Sequence, residues 1–580
     1  MANSKDLILA YKENKLLEAL SDKIYGHYEK RKELAEELIG LHNDGLLDLV
    51  EEFKKIQNRP NTKSDFFLLR DIIVKALPKI EAPVKQVMEC IQHLMKMAGN
   101  DMSSGMVLIP YTDFCAAAPS RPIESLKQIE FSGDEYLILL APSIVAGTRI
   151  DLPLYVRKAV NLTKHENIEV RRQAVFALGN IKYEDSTTSI DRALEALENS
   201  CSSEGDDQLL ANLIHSSTNI YKCDAKNCVR IHQLLETALS KGEKISLYAA
   251  ASLFGYHHEG LSDQLIIIFL KHLQSVELQH KGTIDALDSG LARLLDNDST
   301  QQQALEFIEN YFLANRSDDI ADLFDSTSRV LLNDRSLLST VITKWFLKGD
   351  IALCEAILYI LKMVHGQNME LSVDGAVLLE KSPVCTIFIA RKILGYLIYL
   401  PVTAASLLLS LFQYCGDEST TKELSELLFD PLLLNYPGSV KEYLETQEEK
   451  RPEDVMEIIQ VSLGRLESYF DALHQAKEIN ELHPYQSQRE AYRRQQLIVN
   501  VQINKEVNNK SIFSAICSKV ILLHGKKTIN YIHGPDGKTH RQVMPLQYHS
   551  AQIELPYTER FDPFGLDYNL RIFRVERLKK

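Results

Sequence analysis

Three side chains that could bind zinc lie close together between two predicted helices. Cys223 and Cys228 are separated by four residues, and His232 follows Cys228 at the spacing of one helical turn. Thiolates and imidazoles are common zinc ligands, but a structural zinc site needs a fourth ligand. The nearest further candidate, His215, lies eight residues before Cys223, about 12 Å away along a helix. We therefore interpret this cluster as a structural turn, with zinc as the alternative, and predict no cofactor.

Histidines also cluster around a predicted hairpin near the end of the chain. Gly534-Pro535-Asp536-Gly537 is a strong turn sequence between two β-rich runs. With a four-residue turn, His533 pairs with Lys538 and shares a face with His540, while Arg541 lies on the other face. Two imidazoles and a lysine could bind a phosphate or act as acid and base in RNA cleavage. The alternative is a basic hairpin that is solvated or binds nucleic acid without cutting it.

A basic run precedes this hairpin. Arg489, Tyr492, Arg493 and Arg494 fall in a predicted helix, where Arg489 and Arg493 share one stripe. The arginines could contact phosphates and the tyrosine could stack on a base. An intramolecular role, in which the run lies against an acidic part of the same chain, is an equal alternative.

The charge distribution supports both interpretations of the basic run. The chain of 580 residues has a net charge of −14, but residues 489–580 carry 16 Lys and Arg against 8 Asp and Glu. The preceding 488 residues therefore carry a net charge of about −22. A basic C-terminal region suits an acidic partner, nucleic acid first, whereas the acidic body favours a protein partner with a basic face.

No motif of a common enzyme class accompanies these residues. Gly537-Lys538-Thr539 resembles the end of a phosphate-binding loop, but Ile532 stands where that loop requires a glycine. The sequence also lacks His-Glu-x-x-His, Gly-x-Ser-x-Gly and Gly-x-Gly-x-x-Gly patterns. Asp and Glu are numerous, but no pair has a spacing that singles it out as an acid/base couple. These observations favour a protein without catalytic activity.

The elements that position these residues are predominantly helical. Asn167–Ile181 contains Val-Arg, Ala and Leu-Gly in succession. Ile245–Gly255 resembles its small-residue part, Val170–Gly179, and lies some 75 residues later. This separation is about two periods of a 40-residue helical repeat. Residues 151–255 resemble HEAT/armadillo-type repeats, and the chain to about 440 resembles diverged units. The resemblance implies an α-solenoid, in which stacked helical hairpins form an extended binding surface. It also implies a structural role for Arg171, which would tie adjacent turns together.

The fold is thus predicted to be mainly α, an α-solenoid of HEAT-like helical hairpins with a small C-terminal β-rich or α+β domain. Four C-terminal strands are expected, the last at Ala551–Leu555. The predicted regions are a helical N-terminal region at 1–98, an irregular joint at 99–150, the solenoid at 151–440, a charged helical linker at 441–510, and the basic β-rich domain at 511–580.

One apolar stretch is long enough to cross a membrane. Ile393–Cys415 contains no charged residue. Pro401 divides it, however, and Thr403, Ser406 and Ser410 are polar, so we interpret it as two buried helices, with a membrane segment as the alternative. Nine dispersed cysteines and the absence of an apolar leader lead us to expect a cytoplasmic protein.

Together these patterns predict a non-enzymatic scaffold that binds a protein partner on the concave face of the solenoid, with the basic C-terminal region as an accessory contact. The alternatives are an effector with a C-terminal nuclease-like domain, and a solenoid that binds nucleic acid without catalysis. The sequence leaves the oligomeric state open.

Overall fold

A computed structural model of the chain describes most of its residues. The described ranges are 4–24, 30–57, 66–99, 102–184, 186–203, 205–223, 225–316, 320–363, 369–379, 381–447, 450–479, 485–510, 517–523, 527–533, 539–545, 554–560, 562 and 564–578. The chain divides into two compact units, Met1–Leu331 and Leu332–Lys580.

The first unit consists of short helices joined by short connections, including 3₁₀ turns. Its α-helices are α1 (Ser4–Lys12), α2 (Leu16–Ile24), α3 (Lys30–Asn43), α4 (Leu49–Phe53), α5 (Phe66–Ala76), α6 (Val84–Ala98), α7 (Leu108–Ala116), α8 (Ser120–Ser132), α9 (Leu140–Thr148), α10 (Leu152–Leu162), α11 (Ile168–Asn180), α12 (Thr187–Ser203), α13 (Asp207–Cys223), α14 (Cys228–Lys241), α15 (Lys244–Gly255), α16 (Asp263–Leu273), α17 (Lys281–Leu295), α18 (Gln301–Ala314) and α19 (Asp325–Asn333).

Local sequence sets where several of these helices begin. Asp151 accepts a hydrogen bond from the amide of Leu154 at 3.0 Å, and Asn167 accepts one from the amide of Glu169 at 2.8 Å. Such side chains satisfy amides that have no partner inside the first turn of a helix. The connections between hairpins are therefore encoded by a few capping residues.

The helices from α9 onward form two layers. Helices α9, α11, α13, α15 and α17 pack in that order in one layer, while α10, α12, α14 and α16 pack in the other. This arrangement confirms the predicted stack of helical hairpins in this part of the chain. The region predicted as an irregular joint, 99–150, contains α7, α8 and α9, and α9 packs against α11.

Small residues bring the helices of the first layer together. A Cβ atom on Gly179 would overlap the backbone of Ser216 on α13, and one on Gly255 would overlap the carbonyl oxygen of Ala286 on α17. Only glycine permits this approach. We call the layer of α11, α13, α15 and α17 the tight layer.

Hydrogen bonds across the tight layer recur at the repeat spacing. Ser216 Oγ donates to Val175 O, 41 residues earlier, at 2.8 Å, and Arg293 donates to the carbonyl of Gly255, 38 residues earlier, at 3.3 Å. Arg171 donates instead to the carbonyls of His165 and Glu166, at 2.7 and 2.9 Å. It therefore ties α11 to the turn that precedes it.

The second unit is also mainly helical, with one small sheet. Its α-helices are α20 (Arg335–Lys348), α21 (Ile351–Lys362), α22 (Gly375–Leu378), α23 (Pro383–Leu397), α24 (Pro401–Leu411), α25 (Glu418–Leu427), α26 (Ser439–Gln447), α27 (Glu453–Lys477), α28 (Gln486–Lys510) and α29 (Gly565–Val575). Its strands are β1 (Cys517–Leu523), β2 (Lys527–His533) and β3 (Thr539–Pro545), an antiparallel meander in the order β1-β2-β3.

The long apolar stretch forms two buried helices, α23 and α24, and Pro401 is the first residue of the second. Its polar residues hold an extended segment against α24. The hydroxyls of Thr403, Ser406 and Ser410 accept hydrogen bonds from the amides of residues 369, 371 and 373 at 2.9–3.1 Å. Within the described residues, no helix combines the length and the apolar character needed to cross a bilayer.

A separate C-terminal domain of β-rich or α+β type, as predicted, is not supported. The sheet supplies three strands; of the fourth predicted strand, Ala551–Leu555, only residues 554 and 555 are among the described residues, and they are not in a strand. Residues 554–578, here called the return segment, instead pack on helices of the second unit: α29 lies on α23. Propensity alone missed this packing, since an amphipathic helix this short is stabilised mainly by its tertiary contacts.

Lys392 anchors the return segment. Its side chain is 0% exposed, and its ammonium donates to the carbonyls of Arg574 and Glu576 at 2.6 and 2.7 Å. These carbonyls lie at and just after the end of α29, where backbone acceptors lack partners inside the helix. Arg391 adds an ion pair to the carboxylate of Glu576 at 2.7 Å.

The other end of the return segment is fixed near α26. The carboxylate of Glu554 accepts hydrogen bonds from the amides of Gly438 and Ser439 at 2.7 and 2.8 Å. Asn435 accepts hydrogen bonds from the amides of Tyr557 and Thr558 at 2.8 and 3.0 Å. The return segment is thus part of the helical second unit.

Candidate partner-binding surface

The tight layer carries a row of exposed aromatic and amide side chains. Phe176 on α11 is 40% exposed and Tyr248 on α15 is 44% exposed. Between these helices, α13 presents the partly exposed side chains of Asn212 and Asn219. We call these four residues the tight-layer face.

The two asparagine side chains of this face differ in their hydrogen bonds within the chain. Asn212 donates to the carbonyl of Arg172 at 3.1 Å and accepts from Gln208 at 3.2 Å. The side chain of Asn219, two turns further along α13, makes no hydrogen bond within the described part of the chain. Its amide can therefore offer both a donor and an acceptor to another chain.

The carboxylates near this face are already engaged. Asp206 forms two hydrogen bonds with Arg172, at 2.9 and 2.6 Å, and these bonds lower the pKa of Asp206. Asp207 accepts from the amides of Glu243 and Ile245 at 2.7 Å and from the Ser246 hydroxyl, so it caps α15. Burial alone would raise the pKa of Asp207, but these hydrogen bonds lower it.

Asp288 repeats this capping arrangement further along the layer. It accepts hydrogen bonds from the amides of Ser326 and Thr327 at 2.8 and 2.9 Å, at the start of α19. Acidic side chains of the tight layer therefore hold successive helices together.

His215 lies on α13 between the two asparagines of the tight-layer face. Burial lowers the pKa of His215, and the nearby His257 and Lys222 lower it further. The imidazole is therefore neutral at pH 7. What this face presents is therefore two aromatic rings and two amide groups, beside an uncharged imidazole.

The predicted zinc residues lie at the helix–helix turn expected for them. Cys223 ends α13, Cys228 begins α14, and the His232 ring packs on Tyr221 with 5.8 Å between ring centroids. Cys223 is exposed. No group of three or more His, Cys, Asp and Glu side chains suited to a metal occurs within the described ranges.

The predicted pairing of the C-terminal hairpin is wrong. His533 pairs with Thr539, and His540 pairs with Ile532. The connection is therefore 534–538, one residue longer than the predicted turn, and it shifts the register by one residue. His533 and His540 then fall at alternate ladder positions, so they do not share the predicted face. Lys538 lies outside the described residues, and Arg541 is an exposed residue of β3.

The predicted basic run lies on α28. Arg489, Tyr492, Arg493 and Arg494 are all exposed there, as are the apolar residues that follow, such as Leu497 and Val501. Arg489 and Arg493 are one turn apart and so lie on one side of this helix. Gln496 donates a hydrogen bond to the Tyr492 hydroxyl at 3.2 Å. Arg494 is 3.9 Å from the carboxylate of Glu490.

Sequence reasoning missed Phe176 and Tyr248. Both stand in the segments that carry the repeat resemblance, where an aromatic residue is indistinguishable from a core position by spacing alone. The available signal was the small residues beside them, Gly179 and Gly255, which indicate which side of each helix packs against its neighbour.

Comparisons with known proteins give structural likeness only. No protein-family model matches the sequence, and the search of curated proteins found no match. A structure of Kap95p with RanGDP is 12% identical, with a TM-score of 0.27; the match covers 78% of this chain and 62% of that chain. An engineered protein (14% identical, TM-score 0.19) matches 72% of this chain and 98% of its own. A circular tandem repeat protein (13% identical, TM-score 0.18) matches 82% and 98% respectively.

The identity of the fold therefore rests on the packing of the chain itself. Helical hairpins stack in two layers, and hydrogen bonds tie equivalent positions at separations of 38 to 41 residues. This spacing is that of the HEAT-type repeat. The stacked part of the chain is thus an α-helical repeat array, the arrangement that the resemblance to HEAT/armadillo-type repeats implied.

Proposed function

We propose that this chain is a non-enzymatic cytoplasmic scaffold that binds a protein partner on the tight-layer face. The observation that carries the proposal is the exposure of Phe176 and Tyr248 on a layer where Asp207 and Asp288 are engaged between repeats. Aromatic side chains bury a large area on binding, and they are enriched at the energetic centres of protein interfaces.

Chemistry on the same face suits a polypeptide segment. The Asn219 amide can pair with a backbone N–H and C=O of the partner, while the two rings receive apolar side chains. Residues 1–488 carry a net charge of about −22, so a partner with a basic rim is favoured in diffusional encounter.

Site-specific photo-crosslinking tests this proposal because it captures whichever protein occupies the face. A photoreactive phenylalanine is placed at Phe176 or Tyr248 of the full chain in its native cells, and at Val229 as the control. Val229 is 66% exposed, but it lies on α14 in the other layer. We expect one protein to crosslink from both tight-layer positions and not from Val229.

The Ala variants complete the test. Phe176→Ala and Tyr248→Ala should each weaken binding of the crosslinked protein at least tenfold, about 1.4 kcal/mol. Thermal unfolding should change little, because both side chains are substantially exposed. Crosslinks that are equal at all three positions, or Ala variants that bind normally, would overturn the proposal.

A second candidate function is a contact with an acidic partner, nucleic acid first, through α28. Residues 486–545 carry 10 Lys and Arg against 3 Asp and Glu, a net charge of +7. Arg489 and Arg493 are exposed on one side of α28, with Tyr492 beside them and Arg494 nearby. Cations on one stripe can follow a phosphate backbone.

Binding to a single-stranded RNA, titrated with salt, distinguishes a contact through α28 from attraction of the RNA to positive charge anywhere on the protein. The double variant Arg489→Gln/Arg493→Gln should bind more weakly and reduce the slope of log affinity against log salt by about 1.4. The double variant Arg571→Gln/Arg577→Gln removes the same charge from exposed positions of the return segment and serves as the control. Equal slopes in the two double variants would refute a specific role for α28.

A further inference from the structure

A cavity of about 470 Å³ opens between α8 and α10 in the first unit. It lies where the chain leaves α8 through the 3₁₀ turn Gly133–Leu139 and where α10 turns into α11. Its volume falls in the range of roughly 300–1,000 Å³ that is typical of small-molecule sites. The cavity does not include any residue of the tight-layer face.

The cavity has an aliphatic lining for a structural reason. Helices α10, α12 and α14 pack successively in their layer, but no comparable packing joins α8 to α10. The 3₁₀ turn occupies part of the intervening space and contributes Leu137. Apolar side chains from both sides therefore face the gap: Leu126, Ile129, Leu137, Leu140, Leu162 and Val170.

The polar lining places a cation beside this aliphatic surface. The Lys158 ammonium lies 5.1 Å from the centre of the Tyr155 ring and forms no ion pair within the described residues. On the opposite wall, Asp134 accepts a hydrogen bond from Asn167 at 2.9 Å. Glu130 is an exposed residue at the same rim.

We propose that this cavity binds an amphipathic small molecule with an aliphatic chain and a carboxylate. The chain lies against the leucine and isoleucine side chains, which are aliphatic throughout and so favour a saturated chain over a planar ring system. The carboxylate pairs with Lys158, because this ammonium has no ion-pair partner among the described residues and a charge-assisted hydrogen bond is stronger than a neutral one.

Three ligands of one chain length test the proposal. Decanoate, decanol and decylamine are titrated into the full-length protein by calorimetry. We expect decanoate to bind most tightly, decanol more weakly, and decylamine weakest, because Lys158 repels its ammonium. Tighter binding of decylamine would assign the polar end to Glu130 and overturn the proposal, as would binding of none of the three.

Variants connect the result to the cavity. Lys158→Met should weaken decanoate binding about tenfold and leave decanol binding unchanged. Lys127→Met removes an exposed lysine of α8 that does not line the cavity, and it should change neither. Leu126→Trp, at a half-buried position, should fill the cavity and abolish binding of both ligands while the helical circular dichroism is retained. Unaltered decanoate binding to Lys158→Met would refute the assignment of the head group.

Discussion

Replacement of Leu570 by alanine should release the return segment from the second unit. Leu570 lies in the middle of α29, which packs on α23, and its side chain is 1% exposed. A short helix of this kind is stabilised by its tertiary contacts more than by its own propensity. The loss of one buried leucine side chain therefore weakens the docking of α29 on the second unit.

The expected magnitude follows from burial. Truncation of a fully buried leucine to alanine costs about 3 kcal/mol, a transfer contribution plus the free energy of the cavity that remains. At about 1.4 kcal/mol per factor of ten, the equilibrium between docked and undocked α29 shifts roughly a hundredfold toward the undocked form. The anchoring hydrogen bonds of Lys392 open in the same event, because their acceptors are the carbonyls of Arg574 and Glu576.

Hydrogen exchange followed by mass spectrometry measures this opening locally. Amides of 565–575 in Leu570→Ala should exchange roughly a hundredfold faster than in the unaltered protein, since local opening controls their exchange. Amides of α11 and α13, in the first unit, should exchange at unaltered rates. The reason is that a local opening leaves distant helices folded.

Ile572→Ala is the matched control on the same helix. Ile572 is 45% exposed, so its truncation removes little buried area and should accelerate exchange only a few-fold. Equal exchange in the two variants would show that α29 is not held by its buried face. The interpretation of the return segment as part of the helical unit would then fail.

Two further predictions concern the tight layer. Gly255→Ala should lower the free energy of unfolding by about 1–3 kcal/mol, because its Cβ would overlap the Ala286 carbonyl. Gly464→Ala, on α27 with open space around it, should instead raise that free energy by up to about 1 kcal/mol; thermal unfolding of both variants measures the contrast. Asp207→Asn should destabilise the protein by about 1 kcal/mol at pH 7. The folded-state pKa of Asp207 lies below its ordinary value of 3.8, so this stabilisation is complete above that value and is lost as pH falls below it. Urea titrations at pH 7 and pH 3 should show that the difference in unfolding free energy between the unaltered protein and Asp207→Asn is smaller at pH 3. An equal difference at the two pH values would refute this role of the Asp207 carboxylate.

Local patterns were sufficient to predict much of the helical framework. Asn167 caps α11, and Pro401 is the first residue of α24; both residue types are favoured at these positions. The polar residues of the long apolar stretch also argued correctly for buried helices. Their partners, the amides of an extended segment 30 or more residues earlier, were not predictable from local sequence because the contact is long-range.

The hairpin illustrates a second limit. Strand positions followed from β-branched composition, and three of the four predicted strands are present. The register between β2 and β3 could not be predicted from composition, because one additional residue in the connection shifts every pairing partner by one residue. The predicted shared face of His533 and His540 depended entirely on that single residue.

Candidate functional surfaces divide in the same way. The exposed arginines of α28 were identified from charge and spacing, since a charged stripe on a helix is a local property. The aliphatic cavity beside Lys158 was not identified. Its lining comes from four helical segments, α8, α10, α11 and the start of α9, together with the intervening turns.

The amino-acid sequence by itself determined the helical class, the repeat, and the ends of many helices, because caps, prolines and apolar periodicity act within a few residues. Only the tertiary structure decided which side of α11 and α15 is exposed, where α29 docks, and that a gap separates α8 from α10. Each of these depends on contacts between residues far apart in the chain. A helix can present an apolar stripe without specifying which surface will cover it.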